Sequence, residues 1–227
     1  MKKKKKSYSS STLENLPPKA LSEAQQKLLT ELSSKEMVVT YGSAGTGKTY
    51  IPLAYAAYLY KEKLISNIVL TRPVVGVGKS LGFFPGTIRE KMLPWIQPML
   101  NVLQESLSKG EVECMLKNEK IQIVPFEVIR GHTFQDAFVL LDEAQNTSVH
   151  EMKAFVTRTG NNSKVVINGD YTQSDVSLNS GLEFVIDTVE DFRNKELQKR
   201  VGIVEFTSDD IVRSEMCKLW VKAIERY

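Results

Sequence analysis

The sequence predicts an α/β fold in three layers, with a mostly parallel central sheet covered by helices on both faces. Short apolar strand candidates alternate with segments of helical spacing along most of the chain, and this alternation is typical of βαβ units. Residues 138–141 and 165–167 are almost continuously apolar, as expected for strands that are buried on both faces.

Each element is predicted from the spacing of its apolar residues. Strands are predicted over residues 37–41, 67–71, 121–124, 138–141, 164–168 and 201–206. Helices are predicted over residues 20–33, 48–59, 86–107, 148–158, 181–192 and 209–225. Pro94 and Pro98 are expected to bend the helix that contains them. Trp95 and Trp220 are expected to lie in the core.

Composition and charge fit one domain with a short extension. The 227 residues are 42% hydrophobic and 25% charged, as is usual for soluble globular proteins. Residues 1–16 are predicted to form a disordered tail, which contains the run Lys2 to Lys6, and residues 17–227 a single domain. The net charge of +3 includes that run, so the folded part is not basic by bulk charge.

Several protein classes are excluded by what the sequence lacks. Cys114 and Cys217 lie far apart and have no metal-ligand spacing, so we expect reduced thiols in the cytoplasm. No apolar run reaches the roughly 18 residues of a membrane span. The basic N-terminus is followed by a polar stretch and not by the apolar segment of a secretory signal. A cytoplasmic location without membrane association is therefore predicted.

A glycine-rich motif follows the first predicted strand and opens a predicted helix. It matches G-x-x-x-x-G-K-[ST] without deviation, through Gly42, Ser43, Ala44, Gly45, Thr46, Gly47, Lys48 and Thr49. Glycines allow backbone N–H groups to surround a phosphate, and the helix N-terminus adds positive charge. Lys48 is expected to reach the β- and γ-phosphates, and Thr49 to bind Mg²⁺. The motif predicts a P-loop that binds ATP with Mg²⁺.

Two carboxylates end the apolar strand at residues 138–141. The carboxyl ends of parallel strands meet at one edge of the sheet, so Asp142 is expected beside the P-loop, where it would hold Mg²⁺. Glu143 could accept a proton from the water that attacks the γ-phosphate. The alternative is a solvated Asp-Glu pair at a strand end.

A polar cluster follows the next apolar strand. It comprises residues 169–173 and is expected to lie between the P-loop and the acid pair. Gln173 could donate a hydrogen bond to the γ-phosphate or contact the attacking water. The alternative is a plain strand-to-loop turn.

Seven short segments follow one another along the chain. They are Thr71-Arg72-Pro73, Leu81-Gly82-Phe83-Phe84-Pro85-Gly86, Arg130-Gly131-His132-Thr133-Phe134, Asp142-Glu143-Ala144-Gln145-Asn146, Thr157-Arg158-Thr159-Gly160, Gly169-Asp170 with Gln173, and Asp210-Ile211-Val212-Arg213. From about residue 20 to residue 225 this set resembles the PhoH-like family of P-loop ATPases, which is similar to the motor domain of superfamily 1 helicases. The resemblance implies a RecA-like P-loop NTPase fold, ATP hydrolysis, and binding of RNA or single-stranded DNA.

The resemblance also implies roles for individual residues. Arg72 and the loop 72–90 would lie near nucleic acid, and Gln173 would sense the γ-phosphate. Gln25 lies where related helicases recognise adenine, although the adjacent Gln26 could serve instead. The chain departs from the family pattern at Ser43, where proline is usual, and at Ser214, where histidine is frequent.

Arg213 raises the question of a second subunit. Walking helicases close two motor lobes around ATP, and this chain has one. Arg213 is expected to begin the last helix, far from its own P-loop. We therefore expect it to act as an arginine finger on a neighbouring subunit's ATP, in a homo-oligomeric ring for which the class favours a hexamer.

Basic residues near strand ends could line a channel for a nucleic-acid backbone. They are Arg72, Lys79, Arg89, Lys91, Arg130 and Arg158. Phe83 and Phe84 either stack on bases or pack against the sheet, and the lysine run either adds non-specific affinity or is a solvated extension.

Three functions are compatible with these motifs. The first is an ATPase coupled to remodelling of RNA or single-stranded DNA, and the second is an ATP-gated binding or regulatory module without unwinding activity. The third, a small-molecule kinase, is disfavoured because Glu143 suits hydrolysis and no arginine-rich lid is evident.

Overall fold

A six-stranded parallel sheet organises the molecule. The computed structural model describes residues 18–73, 88–129, 131, 133–170 and 180–224. The strands are β1 (Met37–Gly42), β2 (Asn67–Arg72), β3 (Ile121–Pro125), β4 (Ala137–Leu141), β5 (Lys164–Gly169) and β6 (Val201–Phe206). Their order across the sheet is β3-β2-β4-β5-β1-β6, and every pairing is parallel. All six predicted strands are confirmed.

Helices connect the strands and cover both faces of the sheet. They are α1 (Glu23–Ser34), α2 (Tyr50–Lys61), α3 (Ile88–Leu107), α4 (Lys109–Lys117), α5 (Val149–Val156), α6 (Gly181–Glu190), α7 (Lys195–Arg200) and α8 (Glu215–Ile224). Two short helices, α4 and α7, were not predicted from the sequence. Pro94 and Pro98 lie inside α3, which continues through both.

The hydrophobic core lies in two layers, one on each side of the sheet. Adjacent strand residues alternate between them: Phe138 and Leu140 face the layer built with α1 to α4, whereas Val139 and Leu141 face the layer built with α5 and α6. All five residues of β4 are buried, which explains its continuously apolar sequence. The three-layer architecture is confirmed.

The C-terminal region differs from its prediction. Instead of one helix over residues 209–225, a 3-10 turn at Ser208–Asp210 is followed by an extended stretch and then by α8. Trp220 on α8 has 64% of its surface exposed, so its assignment to the core was wrong. In the parts of the chain that the structure describes, no helix is long and apolar enough to cross a membrane.

Candidate active site

The glycine-rich motif forms the loop between β1 and α2. Gly42 has φ of +116°, and a Cβ there would stand 1.7 Å from the Phe206 carbonyl oxygen, so no other residue fits. The backbone N–H of Ser43 donates to that same carbonyl, at 3.1 Å, which ties the loop to β6. The contacts with Phe206 of β6 therefore fix the first residues of the loop relative to the sheet.

Lys48 is buried within the curve of this loop. Its Nζ donates to the carbonyl oxygens of Gly42 at 2.6 Å and Ser43 at 2.5 Å. Burial lowers the pKa of Lys48, and the carboxylates of Asp170, Asp142 and Glu143 oppose that shift. The ammonium thus faces three acids and is held by loop carbonyls, a position from which it can turn toward a bound phosphate.

Thr49 and Asp142 meet where β4 ends beside the P-loop, as predicted. The Thr49 hydroxyl donates to Asp142 Oδ1 at 3.3 Å. Asn168, at the end of β5, donates from Nδ2 to both Asp142 Oδ1 and Thr49 Oγ1, and it accepts from Thr40. Asn168, which joins Thr49 to Asp142, was not predicted as a site residue.

Burial controls the protonation of Asp142. Burial, and secondarily the charge of Glu143, raise its pKa to about 6, while Arg72 and the hydrogen bond from Asn168 act in the opposite direction. A buried carboxylate whose pKa stays raised despite the hydrogen bonds from Thr49 and Asn168 is suited to receive a cation.

The donor set at this point fits Mg²⁺ that arrives with a nucleotide. Thr49 and Asp142 offer a hydroxyl and a carboxylate, the hard oxygen ligands that Mg²⁺ prefers. Among the described residues no group of three His, Cys, Asp or Glu side chains could hold a metal ion alone. One carboxylate completed by substrate phosphates is the usual Mg²⁺ arrangement in nucleotide enzymes.

Glu143 adopts an unusual backbone conformation directly after Asp142. Its φ of +56° lies in the left-handed region, which is uncommon for a residue with a side chain. Its Oε1 is 3.6 Å from Nη2 of Arg72 at the end of β2, and its Oε2 accepts from Nε2 of Gln145 at 2.7 Å. Both carboxylate oxygens are therefore oriented by neighbouring groups.

These residues line one cavity of about 630 Å³, which is ample for a nucleotide. The polar and charged residues in its lining include Lys48, Thr49, Arg72, Asp142, Glu143, Asn168 and Asp170. The lining also includes Lys19, Leu21, Gln25, Tyr50, Trp95, Pro98, Met99 and Val102. The contribution of α3 to this wall, Trp95 included, was not predicted.

Gln25 lines the cavity and is 2% exposed. Its Oε1 accepts from the backbone N–H of Leu21 at 2.8 Å, and its Nε2 donates to the Thr46 carbonyl at 2.9 Å. Gln26, the alternative in the sequence, is not among the lining residues. The Gln25 amide therefore links the segment before α1 to the P-loop, and its contact with adenine stays a prediction.

Arg213 lies against its own P-loop, contrary to the sequence prediction. Its Cδ and Nε are 3.0 Å from where a Cβ on Gly45 would stand, and Val212 N–H donates to the Gly45 carbonyl at 3.1 Å. Arg213 also precedes α8 and does not begin it. The stretch that follows the 3-10 turn thus returns to the P-loop and places Arg213 beside Gly45.

Other predicted residues lie outside the part of the chain that the structure describes. They are the tail 1–16, Lys79, Phe83, Phe84, Arg130 and Gln173, together with the side chains of Arg89 and Lys91. Of the predicted channel residues, Arg72 borders the cavity, and Arg158 follows α5 and has a buried Nε without a hydrogen-bond partner.

Sequence comparison links the chain to one family. Residues 18–225 match the family described as PhoH-like protein. Protein PhoH of Escherichia coli (strain K12) is 42% identical over 206 residues, which cover 89% of this chain and 56% of that protein. The PhoH-like protein of Bacillus subtilis (strain 168) is 36% identical over 208 residues, covering 89% and 61%. The chain thus spans a little more than half the length of these relatives.

Two solved structures share the fold at low sequence identity. The HK97 bacteriophage large terminase superposes with a TM-score of 0.55 and 11% identity, over 92% of this chain and 48% of that one. The large terminase from a thermophilic bacteriophage gives a TM-score of 0.50 and 15% identity, over 90% of this chain and 49% of that one. With the parallel sheet, this likeness confirms the RecA-like P-loop NTPase fold.

Proposed function

The chain belongs to the PhoH-like protein family, and we propose that it hydrolyses ATP with Mg²⁺, coupled to binding of RNA or single-stranded DNA. The observation that supports hydrolysis most directly is the approach of Thr49 to Asp142, at 3.3 Å, with Lys48 and Glu143 in the same cavity. A site that only binds phosphate would not require Glu143 in addition to Asp142.

Lys48 would exchange partners when ATP binds. In the free protein it donates to the carbonyls of Gly42 and Ser43, which are weaker acceptors than phosphate oxygens. A triphosphate in the P-loop offers charged acceptors to the same ammonium, which would then orient the β- and γ-phosphates. Backbone N–H groups of the loop and the N-terminus of α2 add further donors.

Thr49 and Asp142 would hold Mg²⁺, and Asn168 already orients both of them. The chemistry that a bound Mg²⁺ supplies is neutralisation of the charge on the phosphate oxygens. Glu143 would accept the proton of the attacking water, because it is placed one residue beyond Asp142 and faces the cavity.

Arg72 provides the proposed link to nucleic acid. It ends β2 at the cavity edge and faces Glu143 with its guanidinium. A phosphodiester backbone that contacts Arg72 would alter the surroundings of the proposed base, so strand binding and hydrolysis would be coupled. The family resemblance supports the same placement for this residue.

Arg213 is proposed to act on ATP bound to its own chain. Its side chain lies over Gly45, so the reason for requiring an arginine from a neighbouring subunit no longer holds. A homo-oligomeric ring, which was expected from the single motor lobe and a distant Arg213, remains a proposal without the second of these supports. Arg213→Ala is expected to lower kcat by roughly 10³-fold with ATP binding retained.

A mixing experiment separates action on the same chain from action across subunits. Arg213→Ala protein is combined with Lys48→Ala protein, and the ATPase rate is compared with that of each variant alone. No recovery is expected, because each chain lacks one necessary group. Recovery of activity, together with an oligomeric mass in solution, would support the ring and contradict action within one chain.

The proposed function is tested by ATPase rates with and without Mg²⁺, RNA and single-stranded DNA. We expect Mg²⁺-dependent hydrolysis that RNA or single-stranded DNA stimulates. This stimulation should weaken as the salt concentration rises. Arg72→Gln should reduce stimulation, with Lys109→Gln, an exposed residue on α4, as the matched control. Stimulation without strand separation in an unwinding assay would identify the ATP-gated module, and no hydrolysis at all would contradict the proposal.

A further inference from the structure

Gln145 is fully buried directly behind the proposed base, and it is not among the residues that line the cavity. We propose that Gln145 is a positioning residue, which holds the Glu143 carboxylate in the orientation that accepts a proton from water. This inference rests on the proposed ATP hydrolysis and goes beyond it, because it assigns a role to a side chain that does not itself contact the nucleotide cavity.

The two ends of the Gln145 side chain bind different partners. Its Nε2 donates to Glu143 Oε2 at 2.7 Å, and its Oε1 accepts from the backbone N–H of Asp170 at 3.0 Å. A backbone N–H can only donate and an ionised carboxylate can only accept. Rotating the amide by 180° would break both hydrogen bonds, so the two partners determine its orientation.

The close approach of Gln145 to β5 is built into the backbone. A Cβ on Gly169 would stand 2.9 Å from Gln145 Oε1 and 3.1 Å from the Gln145 backbone nitrogen. Glycine at this position therefore permits the contact. Through Gln145, the orientation of Glu143 depends on the end of β5, from which Asp170 also faces Lys48.

Glu143 needs such support because little else restrains its Oε2 side. The residue has positive φ and directly precedes the 3-10 turn Ala144–Asn146, and 31% of its side-chain surface is exposed. The contact of Oε1 with Arg72 is longer, at 3.6 Å, and involves a side chain that is itself 29% exposed. The short hydrogen bond from buried Gln145 is thus the better-defined restraint, and a misplacement of about 1 Å can lower a rate by roughly 10²-fold.

Two substitutions separate the two halves of the amide. Gln145→Met removes both hydrogen bonds at similar volume. Gln145→Glu retains an acceptor for Asp170 N–H but replaces the donor to Glu143 with a carboxylate oxygen. If Gln145 acts through Glu143, both variants lower kcat by roughly 10- to 100-fold and change KM for ATP by less than about threefold. If Gln145 only supports the Asp170 backbone, the uncharged Gln145→Met variant lowers thermal stability and keeps kcat within about threefold of the wild type.

The measurement is the steady-state ATPase rate of the full chain against ATP concentration, with thermal unfolding of each variant recorded alongside. Gln198→Met is the matched control, because the half-buried Gln198 amide also bonds to the backbone, donating to the Val189 and Asp191 carbonyls, but does not line the cavity. It should lower thermal stability and leave kcat unchanged. A folded Gln145→Glu protein with wild-type kcat overturns this inference alone, whereas a wild-type chain that binds ATP without hydrolysing it overturns the proposed function and this inference together.

Discussion

The charged side chains at the two edges of the sheet differ in how far they are buried. At the carboxyl edge, Lys48 and Asp142 are at least nine-tenths buried and are held by side-chain and backbone hydrogen bonds. At the amino edge, Glu36 precedes β1 and pairs with Arg200, which precedes β6, at 3.3 Å, and these side chains are 41% and 69% exposed. The same sheet therefore has one edge where charge is buried and another where it remains in water.

This difference indicates at which edge the charged groups lower the stability of the folded state. An exposed ion pair contributes little to stability because solvent screens it. A buried carboxylate is unfavourable when charged, and the raised pKa of Asp142 expresses that penalty. Polar groups at the carboxyl edge are thus retained at the expense of stability, as expected where binding or catalysis requires them.

The largest effect is expected for removal of the proposed base. Glu143→Gln should lower kcat by roughly 10²- to 10⁴-fold while ATP binding persists, because a carboxamide cannot accept the proton of water. Equilibrium binding of a fluorescent ATP analogue and steady-state ATPase rates measure the two quantities. Glu36→Gln, the same change at the amino edge, should leave both unaltered. Comparable rates for the two variants would mean that Glu143 is not the base.

An intermediate effect is expected for Asp142→Asn, with opposite signs for stability and activity. The amide avoids burial of a charge and can still accept from Asn168, so the free energy of unfolding without nucleotide should rise by about 1–3 kcal/mol at pH 7. Mg²⁺-dependent hydrolysis should fall, because an amide oxygen is a weaker ligand for Mg²⁺ than a carboxylate. Denaturant unfolding at pH 7 measures the first quantity. A less stable variant would show that the Asp142 charge is compensated in the free protein.

The same residue predicts the pH dependence of stability. A carboxyl group whose folded pKa is raised binds protons more tightly in the folded state, so stability should fall as pH rises from about 4 to about 6. Urea unfolding across this range should show the slope in the wild type, and Asp142→Asn should reduce it. An identical slope in both proteins would assign the effect to other groups.

The smallest effect is expected at the amino edge. Arg200→Gln removes the ion pair with Glu36, and because both side chains are exposed, stability should change by less than about 0.5 kcal/mol. High salt should leave that difference near zero. A loss of about 2 kcal/mol or more would remove the contrast between the two edges.

Much of the site follows from sequence because its parts are local. The P-loop is one continuous motif, and Asp142 directly ends a strand whose neighbours are parallel, so topology alone brings them together. The resemblance to the PhoH-like family, predicted from seven segments, is likewise confirmed by the match over residues 18–225.

Contacts made between elements were not predictable in the same way. In the sequence, Asn168 is one residue of a predicted strand, and Gln145 is one residue of the segment 142–146 to which no role was assigned. Their partners depend on the strand order and on side-chain rotamers, which the sequence does not show. Arg213 was misplaced for a related reason. The sequence does not show that the stretch after Asp210 doubles back to hydrogen-bond with Gly45.

The two tryptophans of the chain offer separate optical signals. Trp95 lines the cavity, whereas Trp220 projects from α8 with 64% of its surface in water. Replacing Trp220 with phenylalanine would leave an intrinsic fluorophore in the wall of the nucleotide cavity. Its emission would report nucleotide binding in real time, without an added dye and independently of the rate of hydrolysis.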